Sequence, residues 1–190
     1  MDDSFFEDQV FEGKNFTSAQ LKKGEYANCR FSHCDFSKAD LSFFEFTECV
    51  FEHCNLSLVK LTKTAFSDVR FSNCKMIGIN FEPCSEFLFT VGFDTCILNF
   101  SSFYKRAVPK TAFKGCTLQE TDFTEADLNG SDFSHADLAG AKFENSNLEK
   151  ADFRLAVNYA INPALNRIKK AKFSVNGLAG LLHQYDILID

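Results

Sequence analysis

The sequence predicts an all-β solenoid with four sides to each coil over residues 1–173, followed by a C-terminal helix and short terminal strand over 174–190. Three observations predict the solenoid. From Thr121 to Phe153, large residues recur every five positions: Phe123, Leu128, Phe133, Leu138, Phe143, Leu148 and Phe153. Two positions before each stands a small one: Thr121, Ala126, Ser131, Ala136, Ala141, Ser146 and Ala151. The composition adds 24 Phe against no Trp and 3 Pro in 190 residues. A period of five fits neither the 3.6 of a helix nor the 2 of a strand. It fits a rod in which each pentapeptide is one side of a square and like side chains stack coil upon coil.

The same spacing runs from the start through Phe6, Phe11, Phe16, Leu21, Tyr26, Phe31, Phe36, Leu41, Phe46, Phe51, Leu56, Leu61, Phe66, Phe71, Met76 and Phe81. Gln9 and Lys14 occupy small-residue slots in the first turn, which is expected to fray or cap the rod. Phe44 puts a ring in such a slot, so its coil is expected to widen. All eight cysteines, Cys29, Cys34, Cys49, Cys54, Cys74, Cys84, Cys96 and Cys116, fall in small inward slots if the phase changes once between Cys84 and Cys96. They read as buried filler in thiol form. His33 and His53 each precede one of them, but the register points the histidines outward and the cysteines inward. Tetrahedral zinc needs converging ligands, so no metal site is expected.

The phase changes within residues 82–92, where Pro83 marks a bulge or short loop carrying Phe87, Leu88 and Phe89. These residues either plug the gap between two stacks or form a partner-binding loop. At residues 104–110 Arg106 takes a small inward slot, so the coil is expected to open beside Pro109. Arg106 with Lys105, Lys110 and Lys114 then forms a basic patch. Asn158 and Pro163 replace two central residues before Ile168 and Phe173 recover the phase. After Phe173 the spacing turns helical: Ser174 is a candidate N-cap, and Leu178, Leu181, Leu182 and Tyr185 form one apolar stripe. Ile187 and Ile189 suggest a terminal strand. This element either caps the rod or also joins two copies.

Net charge is −6. Sorted by face, the side containing Phe6, Tyr26, Phe46 and Phe66 displays Glu7, Asp8, Glu25, Glu45, Glu48 and Asp68, while Lys22, Lys23, Lys60 and Lys63 gather on the adjacent side. Further along, Glu120, Asp122, Glu125, Asp127, Asp132 and Asp137 are followed by Glu144, Glu149 and Asp152. Four coils span about 19 Å at the usual strand separation, so six acids give a charge per roughly 3.2 Å, against about 3.4 Å between phosphates along one DNA strand. Such a face either imitates the duplex or merely solubilises the rod, its Asp and Asn side chains bonding to nearby backbone.

The repeat resembles the pentapeptide-repeat family, whose fold is a right-handed quadrilateral β-helix. Residues 54–81, CNLSLVKLTKTAFSDVRFSNCKMIGINF, and 156–190, AVNYAINPALNRIKKAKFSVNGLAGLLHQYDILID, are similar to albicidin-resistance members of the family. The ending from Lys172 is also similar to Qnr-type quinolone-resistance members. The resemblance implies a dimer through the C-terminal element and a DNA mimic that binds DNA gyrase or another type II topoisomerase and protects it from inhibitors. It does not imply direct nucleic-acid binding. Residues 82–92 are shorter than the projecting loops of the Qnr members. The alternative is a scaffolding solenoid for other protein partners. No catalytic constellation, phosphate loop or cofactor signal is present. With no leader and no long apolar run, a cytoplasmic location is expected, without a membrane span.

Overall fold

The computed structural model describes residues 4–87 and 89–188; Leu88 and Ile189, both expected to make contacts, lie outside them. Ten short strands are present among the described residues: β1 (Ser4–Glu7), β2 (Val10–Glu12), β3 (Gly24–Ala27), β4 (Arg30–Ser32), β5 (Glu45–Thr47), β6 (Val50–Glu52), β7 (Ala65–Ser67), β8 (Val69–Ser72), β9 (Val91–Asp94) and β10 (Phe113–Lys114). They form two parallel sheets, β1-β3-β5-β7 and β2-β4-β6-β8-β9-β10. The remaining two sides of each coil are held by single bridges, such as Asn15 to Asp35 to Asn55 on one and Asp40 to Lys60 on the other. Past β10, bridges of this kind hold all four sides.

The Phe columns explain why the repeat folds this way. Identical slots one coil apart bring like rings together: Phe113 and Phe133 stack at 5.0 Å, Phe133 and Phe153 at 4.7 Å, and Phe153 and Phe173 at 5.4 Å. Rings of neighbouring columns meet edge to face, as Phe103 does Phe113 at 90°. Such pairs add about 0.5–1.5 kcal/mol each beyond the burial of their area.

All eight cysteines are buried free thiols. Their slot is more than a space for small residues. The Cys54 thiol donates to the Phe31 carbonyl one coil below, and the Thr64 hydroxyl donates to that of Leu41 at 2.8 Å. Ser131 and Ser146 make the same bond to Val108 and Phe123. The slot is therefore a donor position, which is why Cys, Ser and Thr share it with Ala.

Phe44 does not widen its coil. It accepts from the Ala65 amide in the regular pattern, and its ring packs inside the core against Tyr26 at 6.2 Å and Phe46 at 6.0 Å. At the first turn, Phe6, Phe11, Phe16 and Leu21 are partly buried against the core, with no further coil on their outer side among the described residues.

Between the stacks the register shifts by two residues. Val69 pairs with Val91 and Phe71 with Phe93, whereas Phe51 pairs with Phe71. The extra chain lies over β7, where Ser85 donates to the Thr64 carbonyl and Thr90 to that of Phe66. The four-stranded sheet ends there for that reason.

Pro109 marks no break. The bridges Ala107 to Asp127 and Ala112 to Asp132 run past it in register, because its nitrogen faces away from the ladder between Val108 and Lys110. Pro163 does lie in a distorted side: Asn158 turns outward at φ 58°, while Tyr159 and Ile161 go inward. The coil length is nevertheless kept, since Asp152 still bridges Lys172.

The C-terminal element is two short 3-10 helices, Val175–Leu181 and His183–Tyr185, rather than the expected helix of α period. Ser174 caps the first, accepting from the Gly177 amide at 3.2 Å. Gly177 and Gly180 set the geometry. A Cβ on Gly180 would stand 2.3 Å from the Tyr159 carbonyl oxygen, and one on Gly177 would stand 2.0 Å from its hydroxyl. The tight turn lies flat on Tyr159 only without those carbons. Asp186–Leu188 form no strand and pair with no neighbouring segment among the described residues.

Candidate protein-binding surface

The sheet β1-β3-β5-β7 carries the first acidic set. Glu25 and Glu45 are direct neighbours in its register, with Phe5 beside Glu25 and Ala65 beside Glu45 at the ends. Asp8, Glu48 and Asp68 share an adjoining corner with Asn28, all four at φ between 53° and 56°. Glu7, Asp8, Glu25, Glu45, Glu48 and Asp68 are all exposed. Among the described residues none of the six has a salt bridge. Like charges at strand spacing repel by up to about 1 kcal/mol per pair. The rod tolerates this charge without a counter-ion.

The second set is built differently. Asp122, Asp127, Asp132 and Asp137 are half-buried, and each accepts the amide two residues on: Thr124 at 2.9 Å, Asn129 at 3.0 Å, Ser134 at 2.9 Å and Ala139 at 3.2 Å. Burial alone would raise the Asp132 carboxyl, yet the Ser134 hydrogen bonds and the Lys114 charge bring it below its ordinary range. Asp137 is lowered too, its burial outweighed by the amides of Asn158 and Gln119. Glu125 pairs with Lys105 at 3.7 Å, and Glu120 lies over Gly140. These acids hold corners and bind neighbours, so the surface they offer carries less free charge than their number implies.

The expected basic patch is absent. Arg106 is only 4% exposed and points into the rod, while its main chain stays in the ladder, accepting from the Asp127 amide. The coil does not open there, because the two-residue insertion below makes room for the side chain. Lys105 and Lys110 sit on successive corners of the square, and Lys114 pairs with Asp132 at 3.5 Å.

Phe87 and Phe89 divide the two roles expected of the loop. Phe89 plugs the core, packing edge-on against Phe66 at 6.1 Å and Phe81 at 6.0 Å. Phe87 projects, 77% exposed. In the tail, Leu181 packs on the core, so it is not part of a free stripe. Leu178, Leu182, Tyr185 and Ile187 are exposed, and Leu188, which the spacing did not single out, is 99% exposed. His33 and His53 face outward and stack on each other at 4.9 Å. Among the described residues no group of three or more His, Cys, Asp or Glu is placed to hold a metal, and no helix is long and apolar enough to cross a membrane. Sequence reading missed Phe43, half exposed at a left-handed corner, with the Lys23 ammonium 4.5 Å over its ring. The signal was present, since Phe43 stands ten residues from both His33 and His53 in the same five-residue register that turns those outward.

A rigid rod with charged corners, one projecting loop and an apolar end defines a repeat protein of the β-solenoid class. The chain belongs to the pentapeptide-repeat family, whose repeat-region model matches residues 24–86 and 86–156. Among solved structures it is similar to two trypsin-treated variants of QnrB1, described as a plasmid-mediated fluoroquinolone resistance protein. The first has a TM-score of 0.65 at 18% identity over 98% of this chain and 100% of that one. The second has 0.60 at 18% identity over 97% and 99%. Full-length QnrB1 matches with a TM-score of 0.51 at 20% identity, over 97% of this chain and 100% of that one. No curated protein sequence matches the chain.

Proposed function

We propose that this protein binds a type II topoisomerase, DNA gyrase in the first instance, in the basic groove that otherwise holds DNA, and thereby changes the enzyme's response to inhibitors. The observation that carries the reading is the exposed face of Glu7, Asp8, Glu25, Glu45, Glu48 and Asp68, which has no counter-ion among the described residues. A rod whose acids are already in place meets a positive groove without the ordering cost of a flexible polyanion. The description of QnrB1 as a fluoroquinolone resistance protein points the same way. The role is binding, in the cytoplasm, and needs neither catalysis nor a cofactor.

The same reading includes a homodimer through the tail. Leu178, Leu182, Tyr185, Ile187 and Leu188 leave more apolar surface exposed than capping one coil requires. A second copy covers it and lengthens the rod along its axis. The test is a supercoiling assay with purified gyrase, with and without a gate-directed inhibitor. The protein is expected to inhibit supercoiling alone and to shift the inhibitor's dose response. No effect on either at micromolar concentration would leave the scaffolding reading in its place.

A further inference from the structure

We infer that Arg106 is a positioning residue for partner contact: it is held inside the rod to fix the loop that presents Phe87 at the end of the acidic sheet. The Arg106 guanidinium donates from Nη1 to the Cys84 carbonyl at 3.1 Å and from Nη2 to the Ser85 carbonyl at 2.9 Å. It also lies 4.2 Å over the ring of Phe89. Its Nε has no partner, and among the described residues no carboxylate pairs with it. Burial accordingly lowers its pKa.

A buried cation held by carbonyl dipoles and a ring, with the Glu86 charge near but not paired with it, is costly, and an apolar side chain of similar volume usually serves a core as well or better. The rod itself makes no demand for a charge, for the same slot one coil on is Ala126 and one coil below is Cys84. What the fork of donors does accomplish is local. It ties down two successive carbonyls where the inserted chain leaves the ladder, and it clamps Phe89 inward. Phe87 is then left projecting from the chain that lies over β7, between Ser85 bonded to Thr64 and Thr90 bonded to Phe66. Charge brings a groove to this face, and a single aromatic at its end supplies the apolar anchor that such contacts use. This inference rests on the topoisomerase-binding reading for the partner, but not for the behaviour of the loop.

The experiment compares Arg106→Met, Arg106→Lys and Phe87→Ala in the full chain, by thermal midpoint, amide exchange and gyrase inhibition. Arg106→Met is expected to keep the melting midpoint of the rod while the amides of Ser85 and Thr90, bonded to the Thr64 and Phe66 carbonyls, exchange at least about tenfold faster. Its inhibition should weaken to the level of Phe87→Ala. Arg106→Lys keeps the charge but cannot span both carbonyls, so it should restore only part of the protection. Unchanged exchange in an intact Arg106→Met rod overturns the inference. So does a loss of midpoint with faster exchange throughout both stacks, which would make Arg106 a support of the rod. Should the loop loosen while wild type itself leaves gyrase unaffected, the positioning of the loop is upheld and the topoisomerase reading fails.

Discussion

Cys54 and Thr64 are chemically unlike, yet each donates to the carbonyl of the large residue one coil below. The repeat showed that these slots are small and inward, which the cysteines alone sufficed to establish. It did not show the donor role, because Ala fills the slot elsewhere. With thiols bonded and sealed in the core, a thiol reagent should label native Cys34, Cys54 and Cys74 only as fast as the rod unfolds. Rapid labelling without denaturant would contradict the register. The acids divide at this scale too. Arg154, aided by Lys172, holds the Asp152 carboxyl at about 2, against about 3.9 in an unfolded chain. A carboxyl lowered in the folded state adds stability that is complete above about pH 4 and is lost as pH falls towards about 2. The melting midpoint should drop across that window, and Asp152→Asn should flatten part of the drop. An identical acid profile in the variant would remove Asp152 from the explanation.

The elements were legible wherever the period of five persisted, and illegible where a side chain outside the pattern set the local structure. The insertion could be located from the phase change between Phe81 and Phe93, whose partners in the ladder are offset by two residues more than those of the first coils. The spacing put Arg106 in an inward slot, but it did not show that the carbonyls of Cys84 and Ser85 would receive its side chain there. The tail was misread for a similar reason. The apolar spacing suggested a helix of α period, whereas the structure uses Gly177 and Gly180 to press a 3-10 turn against Tyr159. Gly180→Ala should therefore destabilise the C-terminal element by about 1–3 kcal/mol, read as faster exchange at residues 175–182 with the coils unaffected. No change would mean that Tyr159 yields more easily than its packing implies. The proposed dimer contact belongs to the same element. Because Leu181 packs on the core, Leu178→Asp with Leu182→Asp is the cleaner disruption. Light scattering should give a dimer for wild type and a monomer for this pair, and a wild type already monomeric at micromolar concentration would refute the contact.

For the molecule as a whole, the fold could be read almost entirely from sequence, because a solenoid repeats one local solution and each coil needs only its neighbours. The charged faces could be read only as far as the side of the square. Which acids are free and which are tied to turns depends on hydrogen bonds that the formal charge does not reveal. Asp122, Asp127 and Asp132 bond to their own corners, whereas Glu45, Glu48 and Asp68 have no ion pair among the described residues. Neutralising the first three should lower stability, and neutralising the second three should lower affinity. The most direct measurement is therefore a binding titration against purified gyrase at salt concentrations on either side of about 0.1 M, where screening reaches about 10 Å. Wild type is compared with the triple variant Glu45→Gln, Glu48→Gln and Asp68→Asn. Wild-type affinity should fall as salt rises, and the triple variant, with its melting midpoint unchanged, should bind about tenfold more weakly with a shallower salt dependence. Equal affinity and equal salt dependence in the two proteins would contradict charge mimicry.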